Sequence, residues 1–181
     1  MLERFYPTEC AASVYEVNFT AYYEKGIRGI IFDIDNTLVP HGKPADKRAV
    51  ELFSKLHSMG FQTCLISNNR ESRVKPFAAA VDSMYICNAH KPSAANYRKA
   101  VERMGVSEGT ALFIGDQIFT DIYGANRAGI ASLLVDPIHP KEEIQIVLKR
   151  YLEKIVLHFF EKNVREKRSN GPSEEGRGKR R

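Results

Sequence analysis

Five short apolar runs punctuate the chain, and the stretches between them repeat at helical spacing. The first, Gly29-Ile30-Ile31-Phe32, is β-branched and carries no alternating polar positions. Both faces of the strand it predicts must therefore be covered, as in a parallel sheet. Runs of the same kind follow at Gln62–Ser67, Met84–Cys87, Ala111–Gly115 and Ala131–Val135. Between them, Lys47–Met59 places Val50, Leu52, Phe53 and Leu56 at helical intervals, Ser93–Met104 follows a proline suited to a helix start, and Thr120–Ala128 has a face of small residues. Strands alternating with helices predict an α/β fold, a doubly wound parallel sheet of Rossmann-like type. Right-handed crossovers bring the carboxyl ends of its strands to one edge, where ligands bind.

Outside this alternation the pattern changes at both ends. Tyr6–Lys25 reads as one or two helices packed on the core, with Thr8 as a candidate amino cap and Tyr15, Phe19, Tyr22 and Tyr23 as packing residues. After Pro140 a long helix is expected over Lys141–Val164. Ile144, Leu148, Tyr151, Leu152, Ile155 and Phe159 share one face, and Glu143, Lys149, Arg150, Lys154 and Glu161 the other. Packing along the body is the default for this helix. The alternative is contact with an anionic membrane through Leu157, Phe159 and Phe160 beside Lys154, Lys162 and Arg165. From Glu166 onward glycine, serine and charge predict disorder. The expected organisation is one domain over residues 1–165, closed by an amphipathic helix at 141–165, and a basic tail at 166–181. No internal repeat is visible.

Composition narrows the class. A chain of 181 residues can bury a core without disulfides or structural metal. Cys10, Cys64 and Cys87 are odd in number and form no CxxC pair, which predicts reduced thiols in a cytoplasmic-type compartment. No apolar run approaches membrane-spanning length, and MLERFYPTEC lacks the apolar centre of a signal peptide. The formal charge of +5 lies entirely in Lys162–Arg181, which holds eight of the 27 basic and three of the 22 acidic residues. With a neutral body, no nucleic-acid partner is expected.

The polar residues at the predicted strand ends carry the functional argument. The first strand runs into Asp33-Ile34-Asp35-Asn36-Thr37. Close carboxylates in a partly desolvated site repel each other, and a divalent cation relieves that repulsion. Magnesium, Mg2+, suits such a site because it takes one or two carboxylates together with waters and phosphate oxygens. The second strand ends in Ser67-Asn68-Asn69, the third leads to His90-Lys91-Pro92, and the fourth ends in Gly115-Asp116-Gln117, with Asp121 five residues after Asp116. A metal, a cation, small donors and an in-line carboxylate are the equipment of phosphoryl transfer. Taken singly, Asp33 and Asp35 could form a solvated turn, Ser67 and Thr37 could cap, and Asp121 could be a helix-terminal charge. His41, His57, His90, His139 and His158 show no metal-ligand spacing.

Together these motifs resemble the haloacid dehalogenase-like phosphohydrolases, whose DxDx[TV], strand-end Ser/Thr, Lys before a helix and acidic pair after GD all occur in order over Arg28–Asp136. A narrower likeness is to the YqeG-type branch, subfamily IIIA, carried by RGIIFDIDNTLVP, SNN, HKP, IGDQIFTDIYGANRAG, LERFYPTE and YEKGIRG. That branch is related to phosphatases that act on phosphatidylglycerophosphate. The resemblance implies that Asp33 is the nucleophile, that Asp35 is the general acid and base, and that Ser67 and Lys91 contact the phosphoryl group. It puts Thr37 and Asn68 beside the phosphate. It implies a metal held by Asp33, the backbone carbonyl of Asp35 and Asp116, with Asp121 supporting Lys91 or a metal-bound water. It also implies an open site: Thr37–Ser67 and Ser67–Lys91 leave no room for a cap domain. Such a site suits a phosphate on something large, a lipid headgroup, a protein or a nucleic-acid end. A small-metabolite substrate, a non-catalytic nucleic-acid binding module whose basic tail supplies the affinity, and an inactive fold that binds a protein are the remaining alternatives.

Overall fold

Six parallel strands form one sheet in the computed structural model of the chain, which describes residues 2–139 and 144–169. The strands are β1 (Glu9–Ala11), β2 (Gly29–Phe32), β3 (Gln62–Ile66), β4 (Met84–Ile86), β5 (Ala111–Gly115) and β6 (Ala131–Val135), in the spatial order β1-β6-β5-β2-β3-β4. The helices are α1 (Phe19–Glu24), α2 (Lys47–Ser58), α3 (Glu71–Ala80), α4 (Ala94–Met104), α5 (Tyr123–Ala128) and α6 (Ile144–Ser169). From β2 the chain builds outward through β3 and β4, then returns to lay β5 on the opposite side of β2. That reversal opens a crevice beyond the carboxyl ends of β2 and β5.

The apolar runs are continuous because each strand feeds two cores. Ile30 and Phe32 of β2 pack with Phe53 and Leu56 of α2 and Val74 and Phe77 of α3. Ile31 between them points to the other face, against Tyr97 and Ala100 of α4 and Ala125 of α5. Burial of each such side chain is worth about 1.5–3 kcal/mol before entropy is charged against it. In α2, Ala49, Leu52, Phe53 and Leu56 are buried whereas Val50 is exposed, and Asp46 caps the first turn by accepting from Ala49 N at 2.8 Å.

The amino-terminal region departs from the expected helices. Glu9–Ala11 is an edge strand paired with Leu133–Val135, and Thr8 is no helix cap. Its hydroxyl accepts from Ser132 N at 3.0 Å and its own N–H donates to Ser132 O at 2.9 Å. A three-residue strand has no periodicity to read; only the open edge of β6 creates it. The helical content is confined to two 3₁₀ turns, Leu2–Phe5 and Val14–Glu16, and to α1. Phe19 is buried, and Tyr15, Tyr22 and Tyr23 pack against the core as expected.

Three further elements differ from the expected bounds or packing. The Thr120–Ala128 helix begins earlier, as a π-helical turn at Ile118–Ile122 that leads into α5. The Lys91-Pro92 peptide is cis and α4 begins at Ala94. α6 runs on to Ser169, and it docks on a different face from the one expected. Val156, Leu157 and Phe160 face the body, with Val156 joining Ile118 and Ile122, and Phe160 meeting Tyr6 edge-on at 5.4 Å. Ile155 and Phe159 are 48% and 44% exposed. Apolar doublets at 155–156 and 159–160 allow either face, and the surface around Ile118 and Ile122 selects one. The side chains of residues 144–152 and 166–169, and all of residues 140–143 and 170–181, lie outside the described residues, so the expected tail falls largely there.

Candidate active site

Asp33 is the first residue beyond β2, and its N–H donates to Ile114 O of β5 at 2.9 Å, so the carboxylate starts at the crevice between the two strands. The chain then turns back at once. Asn36 takes a left-handed φ of 65°, its N–H donates to Val39 O at 2.7 Å, and Leu38 N bonds Ile34 O. Asparagine tolerates that conformation better than most residues. The turn buries Thr37, whose hydroxyl donates to Asp116 Oδ1 at 3.3 Å. Thr37 thus orders the loop and orients Asp116.

Lys91 is the centre of the site. Its ammonium lies 2.5 Å from Asp33 Oδ1 and 2.7 Å from Asp121 Oδ1, with only 5% of the side chain exposed. The segment delivering it is pinned to the end of β3: Asn88 N donates to Asn69 O, Ala89 N to Ser67 O, and Lys91 N to Asn68 Oδ1 at 2.7 Å. Asn68 thus spends its side-chain oxygen on the lysine backbone, and its amide nitrogen is the group that could donate to a phosphate. His90 and Asn88 both hold φ near 50° in this segment. Ser67 is buried, and its Oγ accepts from Asn69 N at 3.1 Å, which leaves its hydrogen free to donate.

Asp33, Asp116 and Asp121 are all buried, and one oxygen of each lies within 4.8 Å of the others. Asp121 comes so close because Gly115 has no side chain; a Cβ there would stand 2.5 Å from Asp121 Oδ2. Burial pushes the Asp33 carboxyl well above its ordinary range; the Lys91 ammonium opposes that shift, while Asp121 and Asp35 reinforce it. Burial alone would lower the Lys91 ammonium, but Asp121 and Asp33 together raise it. One ammonium among three buried carboxylates leaves an excess of hard anionic oxygens, a donor set that fits a magnesium-sized cation.

Asp35 points to another part of the rim. Its Oδ1 accepts from Gly42 N at 2.7 Å and from Arg73 at 2.9 Å, and its Oδ2 from Asn69 at 2.7 Å. Arg73 also donates to Lys43 O at 2.7 Å, tying the loop after β2 to α3. Sequence reasoning gave Arg73 no role. It lies in α3, the helix that starts just after Asn69, and the two side chains converge on the Asp35 carboxylate only in the folded chain.

Residues 43–129 match the haloacid dehalogenase-like hydrolase family. The chain is 33% identical over 159 residues to the probable phosphatase YqeG of Bacillus subtilis, a match covering 87% of this chain and 92% of that protein. It is 26% identical over 164 residues to the chloroplastic/mitochondrial phosphatidylglycerophosphate phosphatase 1 of Arabidopsis thaliana, covering 76% of this chain and 45% of that longer protein. A solved structure from Listeria monocytogenes superposes with a TM-score of 0.52 at 19% identity, over 65% of this chain and 85% of that one. The deoxy-D-mannose-octulosonate 8-phosphate phosphatase of Haemophilus influenzae superposes with a TM-score of 0.51 at 14% identity, over 61% and 69%. These two likenesses speak to the fold, and the Bacillus relative to the family. The chain belongs to the haloacid dehalogenase-like hydrolases, as a YqeG-type member, and is a phosphatase.

Proposed function

We propose that the chain hydrolyses phosphomonoesters through an aspartyl-phosphate on Asp33, with magnesium as cofactor, and that its substrate is phosphatidylglycerophosphate, giving phosphatidylglycerol. The observation that carries the chemistry is the shared ammonium of Lys91 between Asp33 and Asp121, beside the Asp116 carboxylate. An Asp33 oxygen attacks phosphorus as the bond to the leaving alkoxide breaks. Asp35 protonates that alkoxide, then takes a proton from the water that cleaves the phosphoryl–Asp33 bond and releases inorganic phosphate. To reach either proton, Asp35 exchanges one of its present donors, Gly42, Asn69 or Arg73. Lys91 and the Ser67 hydroxyl stabilise charge on the transferring group. Asp33, Asp116 and the Asp35 carbonyl would hold magnesium, whose charge offsets that of the phosphoryl oxygens.

The lipid substrate draws support from the Arabidopsis relative and from the short intervals around the site. Among the described residues, Thr37–Ser67 holds α2 and β3, and Ser67–Lys91 holds α3 and β4, with no inserted domain. The solvent face of α6 supports peripheral contact of a cytoplasmic protein with an anionic bilayer: exposed Ile155 and Phe159 stand among exposed Lys154, His158, Lys162 and Arg165. No described helix is long and apolar enough to cross a membrane. A protein, nucleic-acid end or small metabolite as substrate would use the same chemistry.

A magnesium-dependent phosphate-release screen tests the reading, comparing phosphatidylglycerophosphate in mixed micelles with sugar phosphates, nucleotides and phosphopeptides. The lipid should give the highest kcat/KM; a soluble substrate at least about ten-fold better would overturn that assignment. Asp33→Asn should lose at least about 1000-fold in kcat, since an amide is a poor nucleophile. Substantial turnover by that variant would end the aspartyl-phosphate mechanism.

A further inference from the structure

The turn that presents Asp116 and Asp121 is held from outside the strand–loop region in which both residues lie. Gln117, before the π-helical turn Ile118–Ile122, gives that turn no side-chain cap. The Ile118 N–H instead donates to Glu153 Oε1 on α6, at 2.7 Å and 35 residues away. The neighbouring Gln117 N–H donates to Asp121 Oδ2 at 3.1 Å. Both amides that follow Asp116 thus end on carboxylates, one within the site and one on α6.

Glu153 is 5% exposed, in the layer where Val156 meets Ile118 and Ile122. Docking a helix there needs only apolar surface, and burying a carboxylate is costly unless strong donors receive it. We propose that Glu153 is a positioning residue of the active site: by accepting from Ile118 N–H it fixes the turn between Asp116 and Asp121 and so sets the geometry of the cation-binding carboxylates. α6, which carries none of the family motifs, is then part of the catalytic apparatus. This inference rests on the reading of the Asp33–Asp116 cluster as a cation site.

The test is direct metal binding, read without turnover: Mn2+ titration of the full chain followed by electron paramagnetic resonance, with thermal unfolding of each variant alongside. Glu153→Ala is expected to weaken Mn2+ about ten-fold or more, while Glu153→Gln, which keeps the Oε1 acceptor, should stay within about three-fold of the parent. Glu153→Asp, which withdraws the acceptor by one methylene, should weaken Mn2+ and serves where the alanine variant does not fold. Val156→Ala removes packing from the same helix face and should lower the unfolding midpoint without changing Mn2+ affinity. The proposal is overturned if Glu153→Ala or Glu153→Asp folds and binds Mn2+ as the parent does, or if Val156→Ala weakens binding as much as they do. If the parent chain binds no Mn2+, the cation site falls too, which is a distinct result from equal binding by parent and variants.

Discussion

At Lys91 a single ammonium sits between Asp33, at the end of β2, and Asp121, in the π-helical turn after β5. Removing it both withdraws a charge from the transferring phosphoryl group and leaves two buried carboxylates facing each other. Lys91→Ala is therefore expected to lower kcat by about 100-fold or more, with a smaller change in KM, measured by steady-state phosphate release. Asp33, Ser67 and Asp116 were readable because each directly follows an apolar strand, where topology alone places it on the rim, and Lys91 because it stands in the short link between β4 and α4. Arg73 and Glu153 were not. Arg73 lies inside a helix with ordinary surface composition, and Glu153 reaches Ile118 only because α6 folds back across 35 residues. Nothing local marks either one.

At the scale of elements, the end of β3 and the segment Asn88–Pro92 behave as one unit, joined through Ser67, Asn68 and Asn69. The amide of Asn68 does what a further strand residue would do, holding the lysine backbone by its N–H. Asn68→Ala removes that hold without touching Lys91 Nζ. It should reduce kcat about ten-fold and cost about 0.5–1 kcal/mol in urea denaturation, the low end expected for an exposed hydrogen bond. Helix and strand identity was legible for β2–β6, from continuous apolar runs, and for α2 and α4, from helical spacing. β1 was not, since Glu9-Cys10-Ala11 is no apolar run and pairs only at the open edge of β6, and the face of α6 was not, because adjacent apolar doublets fit two rotations.

For the whole molecule, charge and exposure divide between two surfaces. α6 gives Glu153, Val156, Leu157 and Phe160 to the body and leaves Ile155 and Phe159 outward among basic residues. Deleting the helix would remove both sets at once, so point substitutions are the cleaner probe. Co-sedimentation with anionic vesicles at physiological salt should fall by about ten-fold in Ile155→Ser/Phe159→Ser, with unchanged turnover of a soluble phosphomonoester. Equal sedimentation of parent and variant would dismiss α6 as the contact. The sheet order was foreseeable in kind, a doubly wound parallel sheet, but the sixth strand at its edge emerged only from tertiary pairing.

The short connections around the crevice bear on what happens after the first bond is made. With no inserted domain between Thr37 and Lys91 to screen the second nucleophile, a small hydroxyl compound able to enter the crevice would reach a phosphorylated Asp33 as water does. No inserted segment in that interval selects water over a small alcohol. Added glycerol should then compete with water, diverting part of the phosphoryl flux into glycerol phosphate, detectable by phosphorus NMR as a product that forms at the expense of inorganic phosphate.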